Sequence, residues 1–131
     1  MKYIIFLISI MSVFNSCRSK YENNMDEAKT FYKDTALMYL WSRLDNADYY
    51  YFKSNGDVFS SDTIADIDKS CWGVWYVKDD KIFRRYGVKP YNTEDGLLFT
   101  YKIVNDTLYH YGYNGGIMTT EPSFYVKIKH P

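Results

Sequence analysis

Cysteine, proline, glycine and histidine are all scarce in this chain of 131 residues, which has 2 Cys, 3 Pro, 7 Gly and 2 His. Two cysteines exclude a mini-protein stapled by several disulfides and a zinc site built on thiolates. His110 and His130 lie far apart in sequence, with no second ligand pair beside either, so no zinc site is expected. Charge of one sign is also lacking. The 16 basic residues balance 16 acidic ones, and no basic stripe or acidic tail stands out, which argues against a nucleic-acid partner. Asp62, Asp66 and Asp68 cluster without forming a calcium loop, because the sixth and twelfth places counted from Asp66 hold Cys71 and Val77 where an EF-hand needs Gly and Glu. Glu94-Asp95, after Pro90, belongs to a polar loop rather than to a recognisable acid-base pair. Neither an enzyme nor a cofactor is expected.

One apolar run is present, at the start. Lys2 supplies a positive charge, Tyr3 to Phe14 is apolar apart from Ser9 and Ser12, and Asn15-Ser16-Cys17 follows. A spanning helix takes about 20 apolar residues, and Arg18, Lys20 and Glu22 end this run well before that. The layout is that of an export signal. Ser16-Cys17 resembles the lipobox of bacterial lipoproteins, whereas Phe14 and Asn15 depart from its usual branched and small residues. The resemblance implies cleavage after residue 16 and acylation of Cys17. Each buried methylene would then contribute about 0.8 kcal/mol, so two or three chains anchor the protein to a membrane. Arg18 in place of Asp implies the outer membrane of a Gram-negative cell. Acylation of Cys17 leaves Cys71 with no cysteine to pair with, and its place beside Trp72 suits a small core residue. If Cys17 is not acylated, a Cys17–Cys71 disulfide is the alternative.

Residues 17–24 read as a polar tether, and residues 25–131 as one domain. Asp26 to Lys33 is expected to be a short helix. Ala36 to Leu44 fits either period and is read as strand rather than helix. From Tyr49 onward the turns dominate. Asn55-Gly56 separates Tyr49-Lys53 from Asp57-Ser60, Asp79-Asp80 separates Trp72-Lys78 from Lys81-Tyr86, and Asn105-Asp106 separates Leu97-Val104 from Thr107-Tyr113. Ser123 to Lys129 is the last strand. Consecutive hairpins predict a mainly β fold, an antiparallel meander closed into a small barrel or stacked as a sandwich.

The block Tyr50-Phe52 through Asn55-Gly56 and Val58, then Trp72-Gly73-Val74-Trp75, Lys81-Ile82-Phe83, Tyr101-Val104 and Asp106-Thr107-Leu108, resembles small lipocalin-like envelope lipoproteins. The likeness spans roughly residues 49–112 and is one of turns rather than of chemistry. It implies a barrel, and no catalytic residues.

The aromatic load is the largest signal of composition, with 15 Tyr, 8 Phe and 3 Trp. Alternation puts Tyr109, Tyr111 and Tyr113 on one face of their strand and Leu108 and His110 on the other. Three phenols in a row make a candidate ligand-binding face, and equally a packed cross-strand ladder. Arg84 and Arg85 take opposite faces, and the inward one is a candidate anion anchor or a ring-stacked cation. Asp34-Thr35, Asp62-Thr63 and Asp106-Thr107 each resemble an O-glycosylation signature and also suit turns. The expected function is an anchored, non-enzymatic module binding a small hydrophobic, glycan or peptide ligand. The alternative is an immunity or inhibitor lipoprotein acting on a toxin or hydrolase.

Overall fold

Among the described residues, four other than glycine carry left-handed backbone, and they form two turns: Asp79 (φ 53°) with Asp80 (φ 59°), and Asn105 (φ 51°) with Asp106 (φ 62°). Short polar side chains tolerate this conformation, and its twist matches that of flanking antiparallel strands. A computed structural model describes residues 26–86 and 95–131. Its strands are β1 (Leu40–Arg43), β2 (Tyr49–Phe52), β3 (Asp57–Ser61), β4 (Cys71–Lys78), β5 (Lys81–Arg85), β6 (Gly96–Val104), β7 (Thr107–Tyr111), β8 (Tyr113–Asn114), β9 (Ile117–Met118) and β10 (Ser123–Ile128). Eight of them close a barrel in the order β1-β10-β7-β6-β5-β4-β3-β2, every neighbouring pair antiparallel, while β8 and β9 form a separate hairpin. Of the two architectures the hairpins allow, the barrel is the one formed. Closure comes from β1 pairing with β10, Leu40 opposite Ile128 and Arg43 opposite Tyr125.

Three local expectations need correction. Residues 26–29 alone are helical within the expected Asp26 to Lys33. The Lys33 ammonium folds back onto the carbonyls of Ala28, Lys29 and Phe31 and stops the helix there. In Ala36 to Leu44 a 3-10 turn, Thr35–Leu37, precedes β1, so the strand reading holds only from Leu40. The strand drawn from Thr107 to Tyr113 breaks at Gly112, whose carbonyl accepts from Thr119 instead of continuing the ladder.

The interior is filled. Trp41, Phe52, Trp75, Phe99 and Tyr125 are each at most 1% exposed and come from five different strands. Rings of that size each contribute roughly 1.5–3 kcal/mol or more on burial. Two smaller clusters lie on the outer wall. Leu40, Phe59 and Ile67 pack with Cys71 beneath the 3-10 turn Ile64–Lys69, and Ala28 with Phe31 covers Val74 and Tyr76. Cys71 is disulfide-bonded. The expectation of Cys71 as a lone buried thiol is therefore corrected; Cys17, with the signal and tether of residues 1–24, lies outside the described residues.

The two ends of the barrel differ. The tight turns at 53–56, 79–80 and 105–106 gather at one end, here the lower rim. Leu37 plugs it, held by the Trp41 indole N–H donating to the Leu37 carbonyl at 3.0 Å, and the Tyr101 hydroxyl donates to Asp34 at 2.6 Å. The longer connections 44–48, 62–70 and 112–122 leave from the upper rim.

Candidate functional site

A bulge shapes the inside of the upper rim. Val58 pairs with Gly73 and the next residue, Phe59, pairs with Cys71, so Trp72 is the extra residue. Gly73 has φ +125°, and a Cβ there would lie 2.5 Å from the Arg85 carbonyl oxygen. Only glycine suits that place, and the bulge re-aims Trp72 onto the interior cluster. On β5, Arg84 faces inward. Its guanidinium carbon lies 4.3 Å from the Trp72 ring centroid and 5.3 Å from that of Tyr86. Its Nη1 donates to the Trp72 carbonyl at 3.2 Å. Arg85 faces outward and is ion-paired with Asp95 at 2.7 Å and Glu27 at 3.1 Å.

Below Trp72 sits Tyr50, the hub of the rim. Its ring lies 6.1 Å from Trp72, 5.3 Å from Phe99, 6.0 Å from His110 and 5.4 Å from Tyr125. His110 is wedged 4.0 Å from the Phe99 ring. Burial pushes His110 below its usual range, with Asp48 only partly countering, so near pH 7 it is a neutral aromatic plate. The Tyr125 hydroxyl donates to Asp48. Burial first, then that carboxylate, raises the Tyr125 pKa, and burial with the Asp48 charge raises that of Tyr50. These phenols stay protonated and serve as donors and apolar plates, not as bases.

The tyrosine ladder lies on the outer wall. Tyr109 is opposite both Lys102 and Phe124, with the Lys102 ammonium 5.0 Å from its centroid and the Phe124 ring 5.0 Å away, edge-on. Tyr111 pairs in register with Thr100, whose hydroxyl meets that of Tyr113 at 2.7 Å although Tyr113 belongs to β8. All three are half-buried. The two histidines are kept apart, since His130 lies on the outer wall, 2.8 Å from Asp68. Asp95 is committed to structure: burial pulls its pKa up, but Arg85 and the Tyr76 hydroxyl hold it below the usual carboxylate range. Among the described residues, no group of three or more His, Cys, Asp and Glu side chains is placed to hold a metal ion.

Sequence reasoning missed Trp72, Tyr50, Tyr125 and Asp48 as one cluster. The Trp72-Gly73 pair, a glycine inside a strand pattern, was the available signal for the bulge. Fold and rim together define the class, a small lipocalin-like antiparallel barrel of eight strands with a solid aromatic core. Comparison with protein families, curated proteins and solved structures finds no match.

Proposed function

We propose that the chain is an exported, non-enzymatic binding module of the bacterial envelope. The observation that carries the reading is the filled interior. A barrel packed with Trp41, Phe52, Trp75, Phe99 and Tyr125 offers a rigid surface rather than a container. This favours a glycan or peptide laid on the rim or the tyrosine face over a small hydrophobic molecule held inside. Aromatic plates with hydroxyls, as at Tyr109, Tyr111 and Tyr113, suit such ligands. Titration of the processed protein with chito-oligosaccharides and with short peptides, followed by tryptophan fluorescence, tests it. A saturable response weakened by Trp72→Ala or by Tyr109→Ala with Tyr111→Ala is expected, and no response to either class sinks the reading.

The β8–β9 hairpin favours a second reading, the inhibitor or immunity protein. Ile117 is 75% exposed and Met118 46%, beside the left-handed Gly115-Gly116 turn. An apolar tip on a rigid barrel suits the cleft of a hydrolase or toxin. Co-purification from envelopes should then bring down one stoichiometric protein, lost on Ile117→Asp.

The address has its own test. A sulfur in a disulfide cannot also carry a lipid thioether, so the anchor and a Cys17–Cys71 bridge exclude one another. Labelling of wild type and Cys17→Ala with a palmitate analogue, with intact mass, separates them. Label on wild type alone supports the anchor; an unlabelled soluble product with the mass of a disulfide supports an exported, bridged form in an oxidising compartment.

A further inference from the structure

Arg84 is set apart from the other arginines of the described residues. Arg43 pairs with Asp45, and Arg85 pairs with Asp95 and Glu27. Arg84 has no carboxylate partner among the described residues. Its one hydrogen bond is to a backbone carbonyl, and its Nε is enclosed without an acceptor. Burial lowers its pKa, and what little opposes this comes from the Tyr86 phenol rather than from a carboxylate. A half-buried cation without a counter-charge is uncommon. Arg84 is also held rigidly. Trp72 and Tyr86 contact its guanidinium and Nη1 is tied to the Trp72 carbonyl, which leaves Nη2 as the terminal nitrogen without that tie. A terminal guanidinium nitrogen takes an oxyanion by a charge-assisted hydrogen bond.

We infer that the inside of the upper rim is an anion subsite, in which Arg84, positioned by Trp72 and the Gly73 bulge, pairs with a carboxylate carried by the ligand. This rests on the reading of the chain as a binding module and names the chemical group its ligand presents. Half-buried Trp72, which lies on the guanidinium, accepts an uncharged ring or sugar body attached to that carboxylate. Phosphate monoesters share the geometry and are an arm of the test.

The experiment uses the processed, full-length mature protein, with benzoate, galacturonate, inorganic phosphate, and the neutral counterparts benzamide and galactose as probes. Tryptophan fluorescence and the Nε–H signal of Arg84 in a nitrogen-15 spectrum are the readouts. Benzoate or galacturonate is expected to move the Arg84 signal saturably at millimolar concentration. The response should weaken with added salt, fall at least tenfold for benzamide and galactose, and vanish in Arg84→Gln. Arg84→Lys, which keeps the charge and stem, should retain the fold and part of the response. A phosphate response alone would replace carboxylate by phosphate and overturn the class named here. Equal response to neutral and charged probes, or a response that survives Arg84→Gln, overturns the subsite while leaving the binding module standing. No response to anions, glycans or peptides overturns both.

Discussion

His110 and Gly73 show how single residues are constrained by the barrel. The His110 imidazole lies among the rings of Tyr50, Phe99 and Tyr125, and burial lowers its pKa from the ordinary 6.5. As pH falls through about 6.5 the unfolded chain takes up a proton that the folded barrel refuses. Stability is full above that pH and declines below it until the folded pKa is reached. His130 has the opposite sign: Asp68 raises its pKa, so its contribution is present below 6.5 and lost as pH rises through the higher folded value. The pair is exposed, so solvent screening keeps that term small. The melting temperature should therefore drop between pH 7 and pH 5, and the drop should flatten in His110→Phe but persist in His130→Gln. At Gly73, alanine meets both a positive φ and the Arg85 carbonyl. Gly73→Ala should cost about 1–3 kcal/mol in urea unfolding, and the emission of Trp72 should change as its stack on Arg84 is disturbed.

Among the elements, the 3-10 turn Thr35–Leu37 and the segment after residue 26 do more than connect. Leu37 is wholly buried at the lower rim and its carbonyl satisfies the Trp41 indole. Leu37→Ala should destabilise by about 2–5 kcal/mol, the range for truncating a buried leucine in a site that cannot collapse, readable as a lowered urea midpoint. The N-terminal segment finishes a ladder left incomplete where β3 stops pairing with β4. The Trp75 N–H donates to the Gly56 carbonyl and the Val77 N–H to the Tyr32 carbonyl. Lys29 crosses the Asn55-Gly56 turn to pair with buried Asp57 at 3.3 Å. Hydrogen exchange should find the Val77 amide protected in wild type and exposed after Phe31→Ala, which loosens the contact with Tyr76.

At the scale of the whole molecule, closure removes every free edge of the main sheet, so the barrel offers no template for strand addition by another chain. The remaining choice is covalent. Cys71 is disulfide-bonded and packs with Phe59 and Ile67 against the outer wall. Cys71→Ser should lower stability by about 2–4 kcal/mol in a bridged form and by much less in an acylated form whose Cys71 is reduced. Urea unfolding of the two cysteine variants made in the native envelope reads this directly.

The hairpins, their turns and the mainly β class were legible from sequence because left-handed backbone at Asp79-Asp80 and Asn105-Asp106 is a local preference, expressed before any partner strand is chosen. Alternation likewise separated Leu108 and His110 from Tyr109 and Tyr111, as it separated Arg84 from Arg85. It did not say which set faces inward, because that depends on the register with which neighbouring strands close. The sequence by itself determined strands, turns and the two faces of each strand. Tertiary structure alone decided that the meander closes through β1 and β10, that Trp72 turns inward at a bulge, and that Arg84 rather than Arg85 is the arginine left without a carboxylate. Each of these follows from pairings between residues distant in the chain, whose energies no local segment contains.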